Sequence, residues 1–383
     1  MNHLITNARL VLKDTIVEDA SLLIRDGYIA AINPIDAKPG KIFNLANRYL
    51  LPGLIDLHAD ALEKDIEPRP NVYFPMEYAI AQADKRNAAA GITTAYHSLS
   101  FANAELGLRN NAMAADIVRA IHAFNGKGLI DNRVHARYEI TDPGALPILI
   151  GLLDEGNVHL LSIMDHTPGQ GQFKDIRAYQ EYLQRNYKKT TAETQVLIDD
   201  KLAQAEFSQQ RVKQLIDHAH HRSVHVASHD DDCPEKVLEI KALGVHICEF
   251  PINLETARYA CEQGMSTIMG APNIVRGQSQ SGSMKAQDAV EHRVATCLCS
   301  DYAPASLLTA IFMLEQRGVL TLPEAVKLAS TNPAGTLGLN DRGEIAVNKR
   351  ADLVCVDRIG CFPQVRQAWV KGKPVYQAGY DNV

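Results

Sequence analysis

Five places in this 383-residue chain put metal-ligand side chains where a short apolar run ends. In Leu54-Ile55-Asp56-Leu57-His58-Ala59-Asp60 the run sits behind a Pro52-Gly53 break and leads into His58 and Asp60. Side chains alternate along a strand, so residues two apart face the same way. An imidazole and a carboxylate then converge at one strand end. That pair suits a divalent ion of borderline softness: zinc first, with manganese or iron as alternatives. The other four places are Glu139 in His135-Ala136-Arg137-Tyr138-Glu139, His166 in Met164-Asp165-His166, His229 in Ala227-Ser228-His229-Asp230-Asp231, and Asp301 in Ser300-Asp301-Tyr302. Each residue also has a plainer role open to it. Asp60 can cap a turn beside a structural His58, Glu139 can pair with Arg137 or Arg133, and His166 can cap the turn before Pro168. His229 can bond a backbone carbonyl, and Asp301 can cap a helix before Pro304. Five strand ends bearing ligand-type residues are hard to explain that way. The expectation is one or two divalent ions per chain, with Glu139 bridging and Asp301 also taking a proton from water. His97 ends a strand too and is held in reserve.

These residues need a scaffold that brings strand ends together. The middle of the chain alternates apolar runs with helical stretches. Strands are expected over 54–58, 92–97, 133–140, 158–165, 224–229, 245–250, 266–270 and 295–300, with helices between them, one of which is read as a single stretch over 191–221. Repeated strand–helix units imply a parallel sheet, and eight of them fit a closed (β/α)₈ barrel of TIM type. An open doubly wound sheet is the competing architecture. It should carry a glycine-rich turn after its first strand, and the sequence has none there. Both termini read as β-rich, with turns at Arg25-Asp26-Gly27 and between Lys371 and Lys373. The expected fold is therefore α/β: a barrel over 51–342, and a small β-sandwich built from 1–50 and 343–383.

Two segments suit an anion. One is Glu63-Lys64-Asp65-Ile66-Glu67-Pro68-Arg69-Pro70, after the first strand. The other is the Gly-, Ser- and Asn-rich stretch over 270–283, which holds Arg276, Ser279, Ser281 and Gly282. Backbone N–H groups, hydroxyls and a guanidinium together fit phosphate. A solvated surface loop would have the same composition; the place over the barrel mouth favours phosphate. A net charge of −6 argues against broad nucleic-acid binding but allows a small anionic substrate. No apolar run is long enough to span a bilayer. The N-terminus lacks the pattern of a secretory signal, and seven scattered cysteines fit reduced thiols, so a cytoplasmic protein, alone or as a homo-oligomer, is expected.

The Leu-Pro-Gly-Leu-Ile-Asp-Leu-His entry at 51–58, Ser300-Asp301 and the closing Asn348-Lys349-Arg350-Ala351-Asp352-Leu353-Val354 resemble the amidohydrolase superfamily, a metal-bearing barrel with a small terminal β domain. Within it the chain resembles the PhnM family of phosphonate metabolism. The stretches that carry this are Pro68-Arg69-Pro70, Gly91-Ile92-Thr93-Thr94, Met164-Asp165-His166-Thr167-Pro168-Gly169-Gln170, Ala227-Ser228-His229-Asp230-Asp231 and Gly270-Ala271-Pro272-Asn273-Ile274-Val275-Arg276-Gly277. His58-Ala59-Asp60 departs from the superfamily's usual His-x-His, and no lysine stands out as a carboxylated bridge. The resemblance implies a metal-dependent diphosphatase that cleaves α-D-ribose 1-methylphosphonate 5-triphosphate to the 5-phosphate and pyrophosphate. His58, Asp60, Glu139, His166, His229 and Asp301 would hold the metal, and Asp301 would be the general base. Lys64, Arg69, Arg276, Ser279, Ser281 and Gly282 would bind the phosphorylated ribose. The alternatives are a hydrolase of C–N bonds (an amidase, a dihydroorotase-like enzyme or a deaminase) and a metal-bound barrel serving as a subunit without catalysis.

Overall fold

The computed structural model describes residues 2–102, 110–167, 180, 184, 190–205, 207–279, 282–359 and 362–379. The chain starts with β1 (Asn2–Val11), β2 (Ile16–Arg25), β3 (Tyr28–Ile32) and β4 (Lys41–Pro52). β2 and β3 are joined by Asp26 and Gly27, both at positive φ, as a tight hairpin turn requires. Next come the eight strands of the middle: β5 (Leu54–Ala59), β6 (Ile92–Phe101), β7 (Asp131–Glu139), β8 (Leu160–Met164), β9 (His225–His229), β10 (Ile247–Glu249), β11 (Ser266–Gly270) and β12 (Cys297–Cys299). The chain closes with β13 (Leu353–Ile359), β14 (Phe362–Val370) and β15 (Lys373–Gln377).

The middle strands pair in chain order from β5 to β12, each parallel to the next. Sequential order rules out the doubly wound sheet, whose strand order reverses at its centre. Helices cover the outside, so strands such as β5 and β6 are buried along their whole length, and their polar residues, such as Asp56 and His97, are buried with them. Ile55, Leu57, Tyr96, Leu160, Ala227, Ile247 and Ile268 fill the interior. Each such side chain contributes about 1.5–3 kcal/mol by leaving water. β5 meets β12 through the Ala59–Asp301 bridge and two backbone bonds, Asp301 N–H to His58 O at 2.9 Å and Asp60 N–H to Asp301 O at 2.8 Å. The seam of the barrel therefore runs through candidate metal ligands.

The termini meet in one mixed sheet of order β15-β14-β13-β4-β1-β2-β3. It is a single hydrogen-bonded sheet, where the sequence suggested two facing ones. Its strands alternate: Ile5, Leu22, Leu50, Leu353 and Trp369 gather on one side, while Leu51, Val354, Val356 and Val365 pack toward the barrel helices. β4 runs on to Pro52, and Gly53 then hands the chain to β5. A Cβ on Gly53 would overlap Thr93 of β6, so only glycine lets the backbones come this close. The stretch expected as a single helix over 191–221 is divided into Thr191–Ala205 and Ser208–His221. Ser208 Oγ donates to Ala205 O, and Arg211 bonds both Gln204 O and Ile140 O, tying the break to the end of β7.

Candidate metal centre

The strand ends converge as the period-2 rule requires. Three sets of ligand atoms each lie within 4.8 Å of one another: His58 with Asp60 and Asp301, His58 with His229 and Glu249, and His166 with His229 and Asp230. Glu139 joins the last set through His166, whose Nδ1 is 2.8 Å from Oε2. All six residues expected as ligands thus come to one mouth. The plainer role falls away for Glu139. Arg133 goes to Asp131 and Tyr96, and Arg137 goes to Asp60 and His229, so neither is the partner of Glu139.

Local structure explains how each group is held. Asp56 is fully buried and accepts from the backbone N–H of His58 and Ser300 and from Ser300 Oγ, which fastens the end of β5 to the end of β12. Burial is what raises the Asp56 carboxyl above its ordinary value. Asp230, Phe250 and Asp301 follow β9, β10 and β12 with φ of 59°, 52° and 52°. Aspartate tolerates this left-handed turn; phenylalanine adopts it at a cost, as residues near functional sites do. The turn at Asp230 folds its carboxylate to 3.1 Å from Nδ1 of His229. The turn at Phe250 lays its ring against His58 and His229, with centroids 5.0 and 5.2 Å apart.

The electrostatics favour cation binding. Burial drives His58 well below the usual imidazole value, with Arg137 adding to it, so the ring is a neutral donor. Burial pushes His135 down to about 3. Burial works to raise Asp230, but His229 and His166 hold it below the ordinary carboxylate value. Asp301 is pushed up to about 6, first by burial and then by the neighbouring Asp60. An acid of that strength can take and release a proton near neutral pH.

Three residues of the centre were not singled out from sequence. Glu249 is completely buried, 3.2 Å from His58 Nδ1 and 3.5 Å from His135 Nε2. The rule that selected the others, a carboxylate ending an apolar run, also fits Cys248-Glu249-Phe250. His135 and Arg137 share the inward face of β7 with Glu139 by simple alternation. His97, the reserve candidate, points elsewhere: its Nε2 meets Asn132, which is anchored by Asp84 of the helix Met76–Ala89.

The expected anion contacts lie at the rim. Lys64, Arg69, Arg276 and Gly282 are exposed, and Ser279 is half-buried; Ser281 is outside the described residues, as are Pro168, Gly169 and Gln170. The stretch expected as a loop opens with a short helix, Ala271–Arg276, stopped by Gly277 at φ 77°. It starts at the wall of the site, since a Cβ on Gly270 would stand 3.8 Å from the Asp301 carboxylate. Arg276 Nη1 lies 3.5 Å from the hydroxyl of Tyr302, the neighbour of Asp301. No contact ties Lys64 or Arg69 to the metal-type groups among the described residues.

Known proteins place this geometry in context. The amidohydrolase family model matches residues 73–376. The α-D-ribose 1-methylphosphonate 5-triphosphate diphosphatase of Escherichia coli K12 is 37% identical over 378 residues, covering 97% of this chain and 100% of the relative. An imidazolonepropionase from Deinococcus deserti is 24% identical, covering 94% of this chain and 93% of that one. Among solved structures, 5-methylcytosine deaminase from Klebsiella pneumoniae superposes with a TM-score of 0.65 at 14% identity, covering 99% of each chain.

Proposed function

Since the chain belongs to the amidohydrolase family, we propose that it is a metal-dependent hydrolase of phosphonate metabolism that cleaves α-D-ribose 1-methylphosphonate 5-triphosphate to the 5-phosphate and pyrophosphate. The observation that carries this is the 37% identity to the diphosphatase, which covers 97% of this chain and 100% of the relative. Zinc is the ion we assign. The cell compartment we assign is the cytoplasm, and among the described residues no helix is long and apolar enough to cross a membrane.

The residues fit a divalent ion. The donors are neutral imidazoles and carboxylates, and two buried atoms that face each other, His135 Nε2 and Glu249 Oε2, have no hydrogen-bond partner. Glu139, His166 and His229 would hold an ion on one side, and His58, Asp60 and Asp301 form the other wall. When bound, such an ion supplies a Lewis acid that makes water nucleophilic near neutral pH and offsets charge on the phosphoryl oxygens. Asp301 removes the proton from the water as its oxygen attacks the α-phosphorus. The bond to the bridging oxygen breaks, pyrophosphate leaves with that oxygen, and the ribose keeps a 5-phosphate. Arg276, beside Tyr302 at the rim, draws in the polyphosphate chain, with Lys64, Arg69, Ser279, Ser281 and Gly282 completing its binding.

The test is to incubate zinc-loaded protein with α-D-ribose 1-methylphosphonate 5-triphosphate and follow phosphorus by NMR. Equal amounts of pyrophosphate and ribosyl 5-phosphate are expected. Release of orthophosphate alone, or turnover confined to C–N bonds of the kind the imidazolonepropionase relative suggests, would overturn the reading.

A further inference from the structure

β7 sends three polar side chains inward in succession. Alternation puts His135, Arg137 and Glu139 on one face, and all three are buried there. His135 reaches Glu249 and Glu139 reaches His166. Arg137 stands between them, 7% exposed, where a permanent charge is costly unless anions surround it. Its protein partners are loose. Nη1 is 3.7 Å from Asp60, and Nη2 is 3.3 Å from the ring Nε2 of His229. Nε is buried and has no hydrogen-bond partner. A guanidinium presents five N–H groups in a planar fork that matches phosphate oxygens two at a time. In this protein the fork is held in position and incompletely filled.

Its place is the second observation. Asp60 belongs to the ligand set on the β5 and β12 side, and His229 to the set on the β8 and β9 side. Arg137 touches one member of each, so its charge lies between the two halves of the centre. The aspartate at position 60 makes sense beside it. An aspartate there brings a negative charge that the guanidinium offsets, as it does those of Asp230 and Asp301.

We propose that Arg137 stands in for a second metal ion: the centre holds one divalent ion, on the Glu139, His166 and His229 side, and Arg137 binds oxygens of the departing pyrophosphate. This rests on the phosphoanhydride reading above. In two-metal sites a pair of cations clamps the attacking and leaving oxygens. Here one partner of the pair is covalently part of β7 and is not lost to chelators.

Two measurements test this on zinc-loaded protein: zinc per chain by mass spectrometry, and the affinity for inorganic pyrophosphate by calorimetry. Wild type, R137Q and R137K are compared. One zinc per chain is expected in all three. Pyrophosphate affinity should fall at least about tenfold in R137Q and by a smaller factor, about threefold or more, in R137K, which keeps the charge but not the fork. Two zinc ions per wild-type chain overturn the proposal. So does an R137Q that binds pyrophosphate as tightly as wild type. Should R137Q fail to fold, R137K decides: full affinity with one zinc bound overturns it. If wild type binds pyrophosphate in this pattern yet releases none from the ribosyl triphosphate, the diphosphatase reading fails while Arg137 as an anion site stands.

Discussion

Charge is buried at both ends of the barrel, and the two ends treat it differently. β7 joins them, starting at Asp131 and ending at Glu139. Around Asp131 the charges close on each other. Arg342 donates to Asp131, Asp341 and Thr94, Arg350 pairs with Asp352, and Arg133 lies 3.2 Å from Asp131. Around Glu139 they do not. Asp60 has a cation only at 3.7 Å, the Asp301 carboxyl is raised to about 6 by burial and by Asp60, and Glu249 faces an imidazole nitrogen that makes no hydrogen bond. A closed network locks the junction between barrel and terminal sheet. An open one holds donors ready for something that arrives later. Buried charge alone therefore does not mark a site, nor does a buried atom without a hydrogen bond, since Arg350 Nε and Asp352 Oδ2 lack one too; carboxylates and neutral imidazoles gathered with too few cations do.

Removing a donor from the open end should have the largest effect. His229→Ala takes away the residue shared by two ligand sets. Turnover is expected to fall by at least about 10³-fold, the scale of several kcal/mol of lost charge stabilisation, and zinc content should drop with it. A variant that keeps its zinc and its rate would break the contrast between the two ends.

Asp301→Asn should come next, with a loss of about 10²–10⁴-fold. The sign in pH follows from its raised carboxyl. A base titrating at about 6 is protonated and idle below that value, so the wild-type rate should climb as pH rises through it. The asparagine variant should lack that limb. A variant with an unchanged pH profile would remove Asp301 as the base.

The closed end should answer in stability instead. Arg342→Met removes the main partner of Asp131, which keeps Arg133, and is expected to cost about 1–3 kcal/mol in denaturant unfolding, equally with and without zinc, while folded protein keeps its rate. The two ends also differ in their pH windows in metal-free protein. His135 titrates at about 3 when folded and near 6.5 when unfolded, so its contribution is full above 6.5 and is lost as pH falls toward 3. Asp131 is depressed: burial opposes this, but Arg133 and Arg342 outweigh it. Its contribution is full above the unfolded value of about 3.9 and is lost below. Stability that stays flat from pH 7 to 4 would contradict the first window.

Much of the scaffold was legible in the sequence because parallel strands covered on both sides leave unbroken apolar runs, and each run ended in a polar residue that stood out. His58, Asp60, Glu139, His166, His229 and Asp301 were singled out that way. Glu249 fits the same rule but ends a strand of only three residues, and its partners His58 and His135 come from across the barrel. No local pattern reports a contact of that range. Arg137 was visible but read as a salt-bridge partner for Glu139; alternation gives the face of a side chain, not how far it reaches. The break after Ala205 depends on Arg211 bonding Ile140, again a contact between distant segments.

The seam at Ala59 and Asp301 bears on the order in which the chain acquires its shape. The two residues are separated by most of the barrel sequence, and closing so long a loop belongs to the last stages of folding. A nascent chain released up to β11 has the strands that carry His58, His166 and His229 but not the one that shuts the ring. β4 likewise waits for β13, on which the terminal sheet depends. The wall formed by His58, Asp60 and Asp301 is thus completed only when β12 joins, at the end of synthesis. An ion held by Glu139, His166 and His229 favours the folded chain by mass action, in proportion to the free metal around it.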